Sequence, residues 1–278
     1  MQEKDSIVPP SNIPLWQALL AEFIGTFTLV FVGVSAAALL VSQGGGILTI
    51  GLAFGLVLGT MIYILGNYSG ANFNPAVSFG FAVAGRMNWI IMLAYWIIQL
   101  IAGIAAAALV VYFFGTSTGA GASVGSLTYT HAWEAVLVEM IATFILVMTV
   151  LFVTRRAMLS PVAGIIIGST LAFNIIAIKF LTGGSLNPAR SLGPAIFSNN
   201  LGTYWIDLVG PLLGALLAAL IYKLFTRNFT CCDKLDGCGN KILNECCKPI
   251  KECKRPKLDV CGREIKECGD VVYETYLE

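Results

Sequence analysis

The chain has 278 residues, 57% of them hydrophobic and only 12% charged, where soluble proteins carry about a quarter charged residues. Between Leu15 and Phe225 the charged side chains are Glu22, Arg86, Glu134, Glu139, Arg155, Arg156, Lys179, Arg190, Asp207 and Lys223, and the rest crowd the two ends. A net charge of +1 leaves no footprint for nucleic acid, and one histidine with no cysteine before residue 231 excludes a catalytic triad or metal ligand set in the apolar region; the chain reads as a polytopic membrane protein and not an enzyme.

The head, residues 1–14, is polar and lacks the basic start of a signal peptide, so the first apolar run reads as a retained span. A span needs about 20 mostly apolar residues. Six stretches qualify: Leu15–Leu40, Ile47–Leu65, Asn88–Phe114, Ala132–Val153, Val162–Phe180 and Thr203–Phe225. Two shorter apolar pieces, Pro75–Ala84 and Pro188–Phe197, cannot cross. Arg86, Arg155, Arg156, Lys223 and Arg227 lie on one side, while the loops Gln43–Gly46 and Gly115–His131 carry no lysine or arginine. The positive-inside bias therefore places both termini in the cytoplasm. Residues 15–225 form the membrane domain and residues 226–278 a cytosolic tail.

An internal repeat organises the membrane domain. Ala21–Phe27 (AEFIGTF) matches Val138–Phe144 (VEMIATF) at an offset of 117; Asn74 matches Asn187 at 113; Gln99–Gly103 (QLIAG) matches Gly210–Gly214 (GPLLG) at 111. Each half, 15–114 and 132–225, reads span, span, short piece, span. An odd number of crossings inverts the second copy, and interrupted segments at matched positions point to a permeation site.

Both short pieces begin at Asn-Pro, a favoured N-cap followed by a residue suited to the first helical turn. About ten residues of helix reach about 15 Å, half of a core about 30 Å thick. Two half-helices from opposite faces would then meet N-terminus to N-terminus at the midplane. Their non-helical lead-ins, Tyr68–Phe73 and Thr182–Leu186, must line a wet cavity, because exposed backbone cannot face lipid. The converging positive dipole ends repel cations. A water accepting from both Asn74 and Asn187 would point its hydrogens along the file and interrupt a proton wire. Arg190 adds a guanidinium that stays charged.

Two Asn-Pro-Ala boxes, Asn74-Pro75-Ala76 and Asn187-Pro188-Ala189, in six spans resemble the aquaporin (major intrinsic protein) family over roughly residues 15–225. The resemblance implies an all-α membrane protein of six transmembrane helices plus two re-entrant half-helices in an inverted repeat. It also implies a homotetramer in the lipid bilayer with one pore per subunit and no cofactor. Its narrowest ring carries over to Phe54, Ile175, Gly184 and Arg190. The water-specific pattern usually has histidine where Ile175 stands and a bulkier residue at Gly184. The ring is thus wider and more apolar, similar to tonoplast and ammonia-permeable branches, which typically carry histidine at Phe54's position. Ser191 and Ala195 are of the water type, but Asp207-Leu208 replaces its usual aromatic pair. The resemblance implies a passive channel for water, extending to ammonia, hydrogen peroxide or urea. The alternatives are a glycerol or small-neutral-solute facilitator and a membrane-junction structural protein of the same fold. The residues leave plasma and intracellular membranes equally open.

Other residues carry two readings each. Glu22 and Glu139, at matched positions, are either acceptors for the N–H groups of the broken loops or members of a proton relay; the former fits better, because a proton path would defeat the pore. His131 is an interfacial residue or a pH gate. Lys179 snorkels or guards the outer mouth. Asp207 pairs with Lys179 or caps the last span, and Asn174 is a helix-contact amide or faces the pore. The tail holds all eight cysteines, Cys231, Cys232, Cys238, Cys246, Cys247, Cys253, Cys261 and Cys268, in a 15-residue repeat. Metal binding, palmitoylation of Cys231 and Cys232, and a redox-responsive tail remain open for them.

Overall fold

The computed structural model describes residues 13–43, 46–155, 157–226, 256–258 and 264–266. The helices are α1 (Leu15–Gln43), α2 (Ile47–Ser69), α3 (Pro75–Val83), α4 (Trp89–Phe114), α5 (Ala132–Val153), α6 (Ala163–Thr182), α7 (Pro188–Phe197) and α8 (Tyr204–Thr226). Among the described residues six helices, α1, α2, α4, α5, α6 and α8, are long and apolar enough to cross a membrane. The remaining two, α3 and α7, have 9 and 10 residues, about 14–15 Å of helix.

Helices α2 and α6 run further than their hydropathy suggests, to Ser69 and Thr182. Each stops at a glycine in the left-handed region, Gly70 at φ 84° and Gly183 at φ 93°. Their N–H groups return to the carbonyls of Gly66 and Lys179, an arrangement that side chains with a Cβ resist. The broken lead-ins are correspondingly shorter than Tyr68–Phe73 and Thr182–Leu186. The other ends shift by a few residues, as hydropathy marks where apolar composition changes and capping decides where the helix ends.

Close crossings hold the bundle together. A Cβ on Gly55 of α2 would lie 2.6 Å from the Ala172 Cβ of α6, so this crossing excludes any side chain there. Alanines such as Ala18, Ala106, Ala107, Ala215 and Ala218 are wholly buried, which lets backbones approach where lipid supplies no hydrophobic drive between helices. Large apolar side chains face outward instead, among them Ile90, Tyr112, Trp133, Phe180 and Leu224. Such a belt suits acyl chains and would be insoluble in water. Arg86, at the end of α3, is buried and donates to the carbonyls of Leu151 (2.8 Å) and Thr154 (3.3 Å), tying α3 to the C-terminus of α5.

The chain divides into two compact units, Met1–Leu224 and Phe225–Glu278. Within the second, Pro256–Leu258 (β1) and Glu264–Lys266 (β2) pair antiparallel, Lys257 opposite Ile265. Sequence reading assigns no strand there; the helical architecture is that of the first unit. All eight cysteines lie outside the described residues.

Candidate functional site: two half-helices tip to tip

Asn74 and Asn187 sit at the starts of α3 and α7 and cap them with their own side chains. Asn74 Oδ1 accepts from the Ala76 N–H at 2.8 Å; Asn187 Oδ1 accepts from the N–H groups of Ala189 (2.9 Å) and Arg190 (3.3 Å). Each amide nitrogen then donates across to the opposite loop: Asn74 Nδ2 to the Leu186 carbonyl at 2.8 Å, Asn187 Nδ2 to the Phe73 carbonyl at 2.9 Å. These reciprocal bonds join the two tips. An amide nitrogen has two hydrogens, so each asparagine keeps one N–H for a permeant. Phe73 and Leu186 adopt φ values of 50° and 52°, a conformation that costs a non-glycine residue about 1–3 kcal/mol. The strain turns both carbonyls toward the facing asparagine. Behind the tips, Trp96 Nε1 donates to the Pro75 carbonyl (2.8 Å) and the Tyr204 hydroxyl to the Pro188 carbonyl (3.2 Å). Ala76 and Ala189 are fully buried.

Each loop hangs from a buried carboxylate. Glu22 accepts from the Ser69 hydroxyl (2.6 Å), the Asn72 N–H (3.0 Å), the Phe73 N–H (2.7 Å) and Gln99 Nε2 (2.7 Å). Glu139 accepts from the Thr182 hydroxyl (2.6 Å), the Ser185 N–H (2.8 Å) and the Leu186 N–H (2.8 Å). Both are wholly buried. These N–H groups have no helical partner, and a carboxylate is the strongest acceptor available to them.

A cavity runs past the tips. Phe54, Ile175 and Arg190 line it together with Asn74 and Asn187, and so do Leu146, Val150 and Thr154. The Arg190 guanidinium lies 5.0 Å from the Phe54 ring centroid. Gly184, at φ 64°, abuts Ile175: a Cβ there would lie 3.6 Å from Ile175 Cα and Cγ2. Arg190 is 1% exposed. Its Nη1 donates to the Ser123 hydroxyl, while Nε and Nη2 have no partner among the described residues. The four residues carried over as a ring are thus neighbours in space.

Four other residues have definite places. His131 precedes α5, exposed, with Nδ1 2.8 Å from the Thr130 hydroxyl. Lys179 Nζ donates to the Gly183 carbonyl at 3.0 Å and so steadies the loop before Gly184. Asn174 is buried, does not line the cavity, and its Nδ2 has no partner among the described residues. Asp207 is buried at 5% exposure. Sequence reading gives no site role to Ser123, Ser78 or Ser185, notes Gln99 only for its place in the repeat, and notes Ser191 only as a water-type marker. Ser78 and Ser191 were findable, because they keep the 113-residue offset of the asparagines; Ser123 lies in a loop with no repeat partner.

With this geometry in view, the chain matches the family described as Major intrinsic protein over residues 10–222. It is 42% identical over 210 residues to Glycerol uptake facilitator protein-like 6 of Lactiplantibacillus plantarum, covering 74% of this chain and 96% of that protein. It is 37% identical over 234 residues to Aquaporin TIP2-3 of Arabidopsis thaliana, covering 79% and 91%. The fold matches the X-ray structure of the aquaglyceroporin from Plasmodium falciparum with a TM-score of 0.63 at 24% identity, over 75% of this chain and 96% of that one.

Proposed function

This chain belongs to the major intrinsic protein family, an integral membrane channel and not an enzyme, and from that premise we propose that its principal permeant is water. Ammonia, hydrogen peroxide and urea accompany it through a ring wider than one built for water alone. The observation that carries this reading is the pairing of donors at two levels of one cavity. Asn74 and Asn187 each keep one N–H at the joined tips, and Arg190 keeps Nε and Nη2 beside Phe54 and Ile175. Donors alone suit a neutral molecule that accepts through oxygen or nitrogen. A bare cation meets a guanidinium and two positive helix ends. Burying an arginine at membrane depth costs at least about 2.5–3.5 kcal/mol, which favours a site where the charge has work to do.

The remaining parts of the reading follow the same logic. Phe54, Ile175, Gly184 and Arg190 form the filter. Glu22 and Glu139 hold the loops and take no part in proton transfer. The termini, including the tail 226–278, face the cytoplasm, and the channel assembles as a homotetramer through its apolar belt. A second reading, a glycerol or small-solute facilitator, is favoured by the space beside Ile175 that Gly184 leaves open and by the 42% identity to a protein named for glycerol uptake. Stopped-flow light scattering of proteoliposomes separates the two. The water reading expects fast osmotic shrinkage with glycerol uptake well below it; glycerol flux equal to water flux would assign the facilitator instead.

A further inference from the structure

The loop between α4 and α5 carries a side chain to the filter that the reading above leaves without a task. It lies backbone to backbone on the last turn of α6: the Ser126 and Leu127 N–H groups donate to the carbonyls of Phe180 and Leu181, each at 2.9 Å. A Cβ on Gly183 would lie 2.2 Å from the Val124 nitrogen, and one on Gly125 would lie 2.4 Å from the Leu181 carbonyl carbon. Neither approach leaves room for a side chain. The loop is thereby held to the start of the α7 lead-in just beyond Ser123, and this fixes where the Ser123 hydroxyl stands.

Ser123 is buried, and its Oγ accepts from Arg190 Nη1. Ser123 Oγ lies 2.7 Å from Ser191 Oγ, which lies 2.6 Å from Ser185 Oγ. Ser185 Oγ lies 3.4 Å from the Asn187 carbonyl oxygen, the longest step of the relay. A guanidinium only donates, and each hydroxyl has one hydrogen. One direction gives every hydrogen an acceptor: Arg190 to Ser123, Ser123 to Ser191, Ser191 to Ser185, and Ser185 to the Asn187 carbonyl. The reverse direction leaves the Ser123 hydrogen with no acceptor among the described residues. Chains of this kind polarise each other in the same sense.

We infer that Ser123 is a positioning residue for the filter: its hydroxyl, carried in by the α4–α5 loop, takes the Nη1 edge of Arg190, holds the guanidinium against the wall and thereby sets how large a solute passes. Arg190 lines the cavity and Ser123 does not, so the bond draws one edge of the guanidinium out of the passage and leaves Nε and Nη2 for the permeant. Among the described residues no other side chain accepts from this guanidinium. The Phe54 ring, 5.0 Å away, attracts the charge but fixes no N–H direction. A buried donor without an acceptor is costly. A guanidinium released from Ser123 therefore turns to the nearest water, which stands in the cavity, and narrows the passage. Losing Ser123 thus acts on solute size in the opposite sense to losing Arg190 itself.

The inference rests on the channel reading, and the test separates the two. Purified full-length protein is reconstituted, and urea and water permeability are measured by stopped-flow on the same vesicles. Ser123→Ala removes the acceptor and should lower the urea-to-water ratio by roughly three- to tenfold, the range for contacts within one network. Ser123→Thr keeps a hydroxyl and should hold the wild-type ratio. Ser191→Ala takes away the acceptor of the Ser123 hydrogen; it should lower the ratio by less, and it carries the test if Ser123→Ala does not fold. In an Arg190→Val background, which itself raises the ratio, either alanine variant should change it no further. A ratio that stays or rises in the alanine variant that folds, an equal fall in Ser123→Thr, or an effect that persists in full beside Arg190→Val would overturn the role of Ser123. Wild-type vesicles that pass either solute no faster than empty ones would overturn the channel reading, and the inference with it.

Discussion

The two halves of the channel suspend the same loop from the same kind of carboxylate, but they differ in what stands beside it. Ser69, Asn72 and Phe73 bind Glu22 as Thr182, Ser185 and Leu186 bind Glu139, residue for residue along the repeat. The first half completes the set with Gln99, a neutral donor 2.7 Å from Glu22 and 3.2 Å from Ser78. The second half has glycine at that place and gains Asp207, three linked hydroxyls and Arg190. The mate of Arg190, at the 113-residue offset of the asparagines, is Val77, which lines the same cavity. The shared part is what a broken membrane helix requires to satisfy its backbone. Under the proposed function the unshared part is where the pore becomes selective, and it sits in one half only.

Breaking the shared part should have the largest effect. Glu22→Ala or Glu139→Ala leaves at least three buried donors unpaired, at about 1–3 kcal/mol each. Both variants should lose most of the monodisperse protein in size-exclusion chromatography, and to a similar degree. A well-folded Glu22→Ala beside an unfolded Glu139→Ala would break the equivalence.

Next comes the unshared part. Arg190→Val gives the second half the first half's residue. It should raise urea permeability relative to water by roughly tenfold, a change of about 1.4 kcal/mol in barrier, and admit a proton leak visible with an entrapped pH dye. The converse, Val77→Arg, places a guanidinium with no counterpart of Ser123 to receive it and should abolish water flux in the same assay; full flux would show that the surroundings of Arg190 are dispensable.

A smaller change is expected from Ile175→His, which fills space beside Gly184. Urea flux should fall by a few fold while water flux holds, a change of about 1 kcal/mol or less in barrier. Equal urea flux in that variant would remove Ile175 from the ring.

The smallest effects belong to the paired supports behind the tips. Trp96→Phe and Tyr204→Phe each remove one hydrogen bond to a proline carbonyl, worth about 0.5–1.5 kcal/mol. Both should lower the thermal midpoint of the detergent-solubilised protein slightly and by like amounts.

Much of this architecture was legible in the residues. Runs of apolar composition marked the six spans, and Asn-Pro at two matched places marked the half-helices, because proline and asparagine at a helix start act locally. The ends of α2 and α6 were less legible. Gly70 and Gly183 set them through a left-handed backbone that hydropathy does not register. Within the site, Asn74, Asn187 and Arg190 stood out because a polar residue in an apolar run is conspicuous. The relay did not. Ser123, Ser185 and Ser191 come from two loops and a helix, and serine is unremarkable in each; only the fold brings their hydroxyls within 2.7 Å of one another in sequence along the chain of contacts. Asp207 was visible as a charge in an apolar run, but its burial was not.

The account stands on neutral molecules passing joined half-helix tips while charge is refused. Stopped-flow shrinkage of proteoliposomes carrying an entrapped pH dye reads both at once. The account predicts water efflux far faster than from empty liposomes, with proton leak no greater than theirs; water flux at the empty-liposome rate, or protons moving with the water, would contradict it.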